Sequence, residues 1–166
     1  MKIEDIEDLI GSLREELQSY GEMLARLDEQ QEQVMNRAPD ELLKCTAAIE
    51  TQSYAIREAR RLRESKQQAV ALGLGLGGEA GLGEMTARLP AEYRPLLEAL
   101  VQENNELLVR VHQRSRQNHI LLCRSMELMS RLLGGLLPGS SPVYTERGDV
   151  MGAFGTITRS TYQAIG

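Results

Sequence analysis

From Ile3 to Val34 the apolar side chains recur in alternating steps of three and four: Ile3, Ile6, Ile10, Leu13, Leu17, Tyr20, Leu24 and Leu27, then Gln31 and Val34. A 3.5-residue repeat held over four heptads demands a long helix, because only a helix returns such positions to one stripe. That stripe must be covered by partner helices in a gently supercoiled bundle. Gly11 and Gly21 interrupt the run, each weakening the helix by about 1 kcal/mol relative to Ala.

The composition agrees. Aromatics make up 4% of the 166 residues, with one Phe and no Trp, a poor supply of the rings that fill sandwich cores. Leu, Glu, Gln, Arg and Ala lose little rotamer freedom on a helix. The length suits one domain of about 100–200 residues, and the fold class expected is all-α.

The outer face of this first helix is acidic: residues 1–36 hold ten Asp or Glu against Lys2, Arg14 and Arg26. The whole chain carries −5, the wrong sign for a non-specific nucleic-acid binder. Charges interrupt every apolar stretch before the ~18 residues of a membrane span, so membrane insertion is not expected. The acidic start is unlike a secretory leader, and Cys45 and Cys123 make no disulfide framework, which points to the cytoplasm.

A break falls at Asn36-Arg37-Ala38-Pro39, since proline suits the first turn of a new helix and the residue before it avoids helical geometry. The first two helices are expected over about 2–36 and 39–72. The second carries a weaker stripe of Leu42, Cys45, Ile49, Gln52, Ile56, Ala59 and Leu62. Near its end Arg57, Arg60, Arg61, Arg63 and Lys66 outnumber Glu58 and Glu64. An antiparallel hairpin brings this cluster to the acidic start of the first helix, a simpler account than a patch for an acidic partner.

Six glycines in the eleven residues from Gly73 to Gly83 are too costly in backbone entropy for a helix interior, so 73–84 reads as a flexible linker, with a helical turn at Met85 to Leu89. A third long helix is expected over 91–136, on a seam of Leu97, Val101, Asn104, Leu108, Val111, Ser115, Asn118, Leu122, Ser125, Met129, Leu132 and Leu136. Its Asn and Ser positions set register at some loss of stability and make His112 to His119 a wet layer or an exposed face. The fold expected is an elongated bundle of three long, largely antiparallel helices over 1–137. The Gly- and Pro-rich residues 138–166 follow as an extended tail, with strand propensity only at Thr156 to Thr158.

Gly73, Gly75 and Gly78 match the bare spacing of a dinucleotide-binding turn, but a helix precedes them where that motif needs a strand. His119 and Cys123 stand one helical turn apart, and Cys45 and His112 are the only other such side chains. A thiol and imidazole metal site needs about four matched ligands. The reading preferred packs Cys123 as a small apolar residue and leaves His119 at the rim. A catalytic Cys–His pair lacks an orienting acid. No catalytic residue, cofactor or metal is therefore expected.

The least absorbed feature is Ile120, Leu121, Leu122, Met126, Leu128, Met129, Leu132, Leu133, Leu136 and Leu137, apolar around the whole helix. One seam suffices for a three-helix bundle. The second stripe needs a further cover: self-association, the folded-back tail, or another protein's amphipathic helix. Methionines suit an adaptable groove.

Several segments together resemble the FlgN-type flagellar export chaperones. They are the acidic first helix, the arginine-rich second, Leu100, Asn104, Asn105, Leu107 and Leu108, the Arg116-Gln117-Asn118 step, and Leu128 with Leu132. The sharpest local match is Pro142-Val143-Tyr144-Thr145-Glu146-Arg147-Gly148. The chain departs from the family in its Arg-Gln-Asn spacer, its glycine-rich loop and a tail with few basic residues. The resemblance implies a cytoplasmic, non-enzymatic protein that holds the C-terminal amphipathic helices of hook-associated junction proteins for type III export. It implies client contact at Leu121, Leu128, Met129, Leu132, Leu133 and Leu136, and docking to the export gate through Tyr144 and Gly148. The rival expectation is a structural coiled-coil homo-oligomer closed by the same leucines.

Overall fold

The structure, a computed structural model, describes residues 3–136 and the strand residues Val143–Tyr144 and Val150–Met151, with side chains from 3 to 135. It contains α1 (Ile3–Asn36), α2 (Pro39–Gly73), α3 (Leu82–Arg88) and α4 (Arg94–Leu136), then β1 (Val143–Tyr144) and β2 (Val150–Met151). The chain divides into two compact units, Met1–Leu122 and Cys123–Gly166.

The described residues form four helices, against an expectation of three long ones with a helical turn at Met85 to Leu89. Leu82–Arg88 is a helix in its own right, entered from the extended Gly81 and closed at the extended Leu89, where Pro90 biases the residue before it away from helical geometry. Within the segment expected as an extended tail, β1 and β2 pair antiparallel, Val143 opposite Met151 and Tyr144 opposite Val150. Thr156 to Thr158 and Gly148 lie outside the described residues.

The side-chain bonds fix helix directions within the first unit. Gln30 bonds Thr46, Gln52 bonds the Ser19 carbonyl, Arg63 bonds Glu16 and Lys66 bonds Asp8. As one number rises the other falls, so α1 and α2 are antiparallel. Asn104 and Asn118 of α4 donate to the carbonyls of Leu13 and Leu27. Here the numbers rise together, so α4 runs parallel to α1, up-down-up.

Being covered from two sides, α1 buries more than its seam. Ile6, Ile10, Leu13, Tyr20 and Leu27 are buried as expected, while Ile3 is exposed. A second row of Leu9, Glu16, Met23 and Gln30 is also buried. On α2, Cys45 and Gln52 are buried, but Leu62 is exposed and the next core positions are Val70 and Ala71.

The C-terminal ends of α1 and α2 use one capping motif. After α1, the Ala38 N–H reaches the Gln33 carbonyl at 3.1 Å and the Arg37 N–H reaches that of Val34 at 3.3 Å. After α2, Leu76 reaches Ala71 at 2.9 Å and Gly75 reaches Leu72 at 3.0 Å. This pairing requires a left-handed residue after the helix. Gly75 supplies it at φ +71° and Arg37 at φ +53°, the latter against its own Cβ.

The reading of the glycine-rich segment as a flexible linker is corrected. Leu76 and Ala80 of that segment are buried with Ile6, Leu9, Leu13, Val70, Met85, Leu89, Leu97 and Leu100, and Gln67 donates to the Ala80 carbonyl at 2.8 Å. Its apolar residues alternate with glycines, so a short loop carries core side chains across the end of the α1–α2 hairpin.

Candidate functional site

Two places hold side chains that the packing of helices alone does not require. One is a charged centre inside the first unit. Glu16 is 4% exposed and accepts from Tyr20 Oη at 2.9 Å, Arg63 Nε at 2.9 Å and, weakly, Arg60 Nε at 3.5 Å. Arg60 Nη2 donates to Tyr20 Oη at 2.6 Å. A buried carboxylate is tolerated only with such partners.

The arginine cluster therefore meets the acidic helix, but only in part. Arg60, Arg63 and Lys66 reach α1, whereas Arg61 pairs with Glu58 on its own helix and Arg57 lies 4.3 Å over the Tyr54 ring. Burial pushes the Tyr20 phenol above its ordinary value, with the hydrogen bond from Arg60 opposing and the one to Glu16 adding. The hydrogen bond to Tyr20 holds the Arg60 guanidinium above its usual range. The bond from Arg61 lowers the exposed Glu58.

Beside this centre is a cavity of about 220 Å³ lined by Leu13, Glu16, Tyr20, Arg60, Val101 and Asn104. A second hollow of about 370 Å³ lies between Gly83, Thr86, Glu98, Gln102 and Glu106. The first is smaller than the ~300–1,000 Å³ of small-molecule pockets, and its charged groups are engaged with one another.

The second place is the end of α4. Met126, Leu128, Met129, Leu132 and Leu133 are 56 to 70% exposed, and Ile120 is exposed while Leu121 is half-buried. Leu136 closes the helix, and its side chain lies outside the described residues. Tyr144 sits in β1. Cys123, expected to be packed, is exposed, whereas Cys45 is buried and donates its thiol to the Arg26 carbonyl at 3.3 Å. Burial raises the Cys45 thiol.

The seam of α4 is as polar as expected. Asn104 and Asn118 are buried, Ser115 and His112 to Gln113 are exposed, and among the described residues no helix is long and apolar enough to cross a membrane. The sequence reading missed Glu16 and Gln30 because half of their row is polar. The available signal was the seven-residue spacing of 9, 16, 23 and 30 beside the seam.

Searches among curated proteins and among solved structures returned no match. A family model described as FlgN protein matches residues 1–151, a span that takes in all four helices and both strands. With nine-tenths of its length matched, including the acidic α1, the asparagines of α4 and the segment around Tyr144, the chain belongs to the FlgN family of flagellar chaperones.

Proposed function

We propose that this protein acts in the cytoplasm, holding the C-terminal amphipathic helices of hook-associated junction proteins and delivering them to the type III export apparatus. Family membership carries the general role of a flagellar chaperone. The observation that carries the finer reading is the exposed run of Met126, Leu128, Met129, Leu132 and Leu133.

Soluble chains seldom leave contiguous large side chains in water unless a partner covers them. At 100° per residue, positions 121, 128, 129, 132, 133 and 136 fall within a stripe about 140° wide, broad enough to lie along another helix. Client contact is assigned to those leucines and Met129, including Leu136 by its place in the sequence. Binding by helix-in-groove contact needs no catalytic group, cofactor or metal. Docking to the export gate is assigned to the tail 138–166, through Tyr144 and Gly148.

Calorimetric titration with peptides of the C-terminal helices of hook-associated proteins, beside scrambled controls, tests this. Saturable, near-stoichiometric binding with a negative heat-capacity change supports it. A folded, monodisperse sample that binds none of them refutes it and favours the homo-oligomer, in which the same leucines meet a second copy.

A further inference from the structure

The polar residues between α1 and α4 repeat every fourteen positions. Asn104 Nδ2 donates to the Leu13 carbonyl at 3.1 Å, and Asn118 Nδ2 donates to the Leu27 carbonyl at 2.6 Å. Three residues further along α1 stand Glu16 and Gln30, both buried and both tied to α2: Glu16 by Arg60 and Arg63, Gln30 by its 3.3 Å bond to Thr46 Oγ1. At the second node the circuit closes, since Asn118 Nδ2 also reaches Gln30 Oε1 at 3.1 Å. At the first node Asn104 donates instead to its own helix at Leu100, and the 220 Å³ cavity separates it from Glu16.

Each asparagine also carries a cost, because both Oδ1 atoms are buried with no partner. Leucine at 104 would fill the seam without an orphaned acceptor, and leucine at 118 does so once Gln30, whose Oε1 accepts from Asn118, is replaced with it. A heptad seam like that of α1 accepts any complementary leucine stripe, including that of a second copy and including slipped registers. A slip of one heptad would place Met23 or Arg37 where Asn118 now finds Gln30, leaving a buried amide facing a thioether or a position beyond the helix end.

We propose that Asn104 and Asn118 are register keys, which reserve the α1 seam for α4 at a single offset and exclude its pairing with the α1 seam of a second copy. The two nodes lie two heptads apart, so both engage only when α4 is parallel to α1 at an offset of 91 residues. Gln30 is the residue that reads Asn118, and Thr46 holds Gln30 in place from α2. This assignment is independent of which clients the protein carries.

The test compares the full chain with Asn104→Leu/Asn118→Leu by light scattering across a range of concentrations, with thermal melting alongside. The variant is expected to melt no lower than the parent while gaining heavier, concentration-dependent species that exchange subunits with tagged copies. A folded variant with the parent's single mass at every concentration overturns the proposal, as does a parent that dimerises through α1. Gln30→Leu/Asn118→Leu removes donor and acceptor together and keeps the test decisive should the first variant misfold. It too should melt at or above the parent and lose its single mass.

Discussion

Arg63 Nε donates to Glu16 Oε2 at 2.9 Å across 47 residues of chain, and the carboxylate it meets stands in a buried row between Leu9 and Met23. Arg63 is itself mostly covered, with 15% of its side chain exposed, whereas Arg60 is 44% exposed. The first pair is therefore little screened by solvent, and the second contributes much less.

Glu16→Ala leaves the mostly buried Arg63 with only the exposed Glu64, at 3.5 Å, as a counter-charge and should cost about 3–5 kcal/mol. Urea unfolding followed by circular dichroism measures this. Replacing both residues, Glu16→Met with Arg63→Met, should come close to the parent. A single variant that loses under 1 kcal/mol would show that the pair does not hold α2 against α1.

Tyr20 makes stability sensitive to alkaline pH. Its phenol is raised above the ordinary 10.0 in the folded chain, so as pH passes 10 the unfolded chain loses this proton first. Stability linked to Tyr20 is complete below that value and declines as pH climbs toward the folded pKa. Urea midpoints at pH 8 and pH 10.5 should differ more for the parent than for Tyr20→Phe; equal differences would remove Tyr20 as the cause.

The two matching helix ends invite opposite substitutions. Arg37→Gly relieves a left-handed residue and should stabilise the protein by about 1 kcal/mol, and Gly75→Ala should destabilise it by a similar amount. Thermal melts of both variants check the pair. A melting temperature lowered by Arg37→Gly would mean that the arginine side chain contributes more than its backbone strain.

Leu128→Asp/Leu132→Asp alters residues at 60% and 64% exposure. Stability should change by less than about 1 kcal/mol, while each lost anchor of a bound helix costs about 2 kcal/mol or more. Peptide titration should then find binding abolished. A double variant that binds as the parent does would place the client elsewhere.

The helices were legible because their signals are local. The steps of three and four from Ile3 to Val34 mark α1, Pro39 begins α2, and the glycine run ends it. The charge complementarity of Arg60, Arg63 and Lys66 with α1 was also legible, since it follows from an antiparallel hairpin. The burial of Leu76 and Ala80 was not, because glycine content reports backbone freedom and says nothing of what the intervening side chains touch.

What the sequence alone determined is therefore the set of long helices, their breaks, the acidic face of α1 and the excess of apolar residues late in α4. Each depends on residues within a few turns of one another, where periodicity and backbone propensity act. The tertiary structure decided that α1 is covered on two sides, which buries Glu16 and Gln30 in an apolar row, and that α4 lies parallel to it with Asn104 and Asn118 against Leu13 and Leu27. A heptad stripe specifies which face of a helix is covered. Which helix covers it, in which direction and at what offset depends on contacts between residues some 90 positions apart, and only packing brings these together.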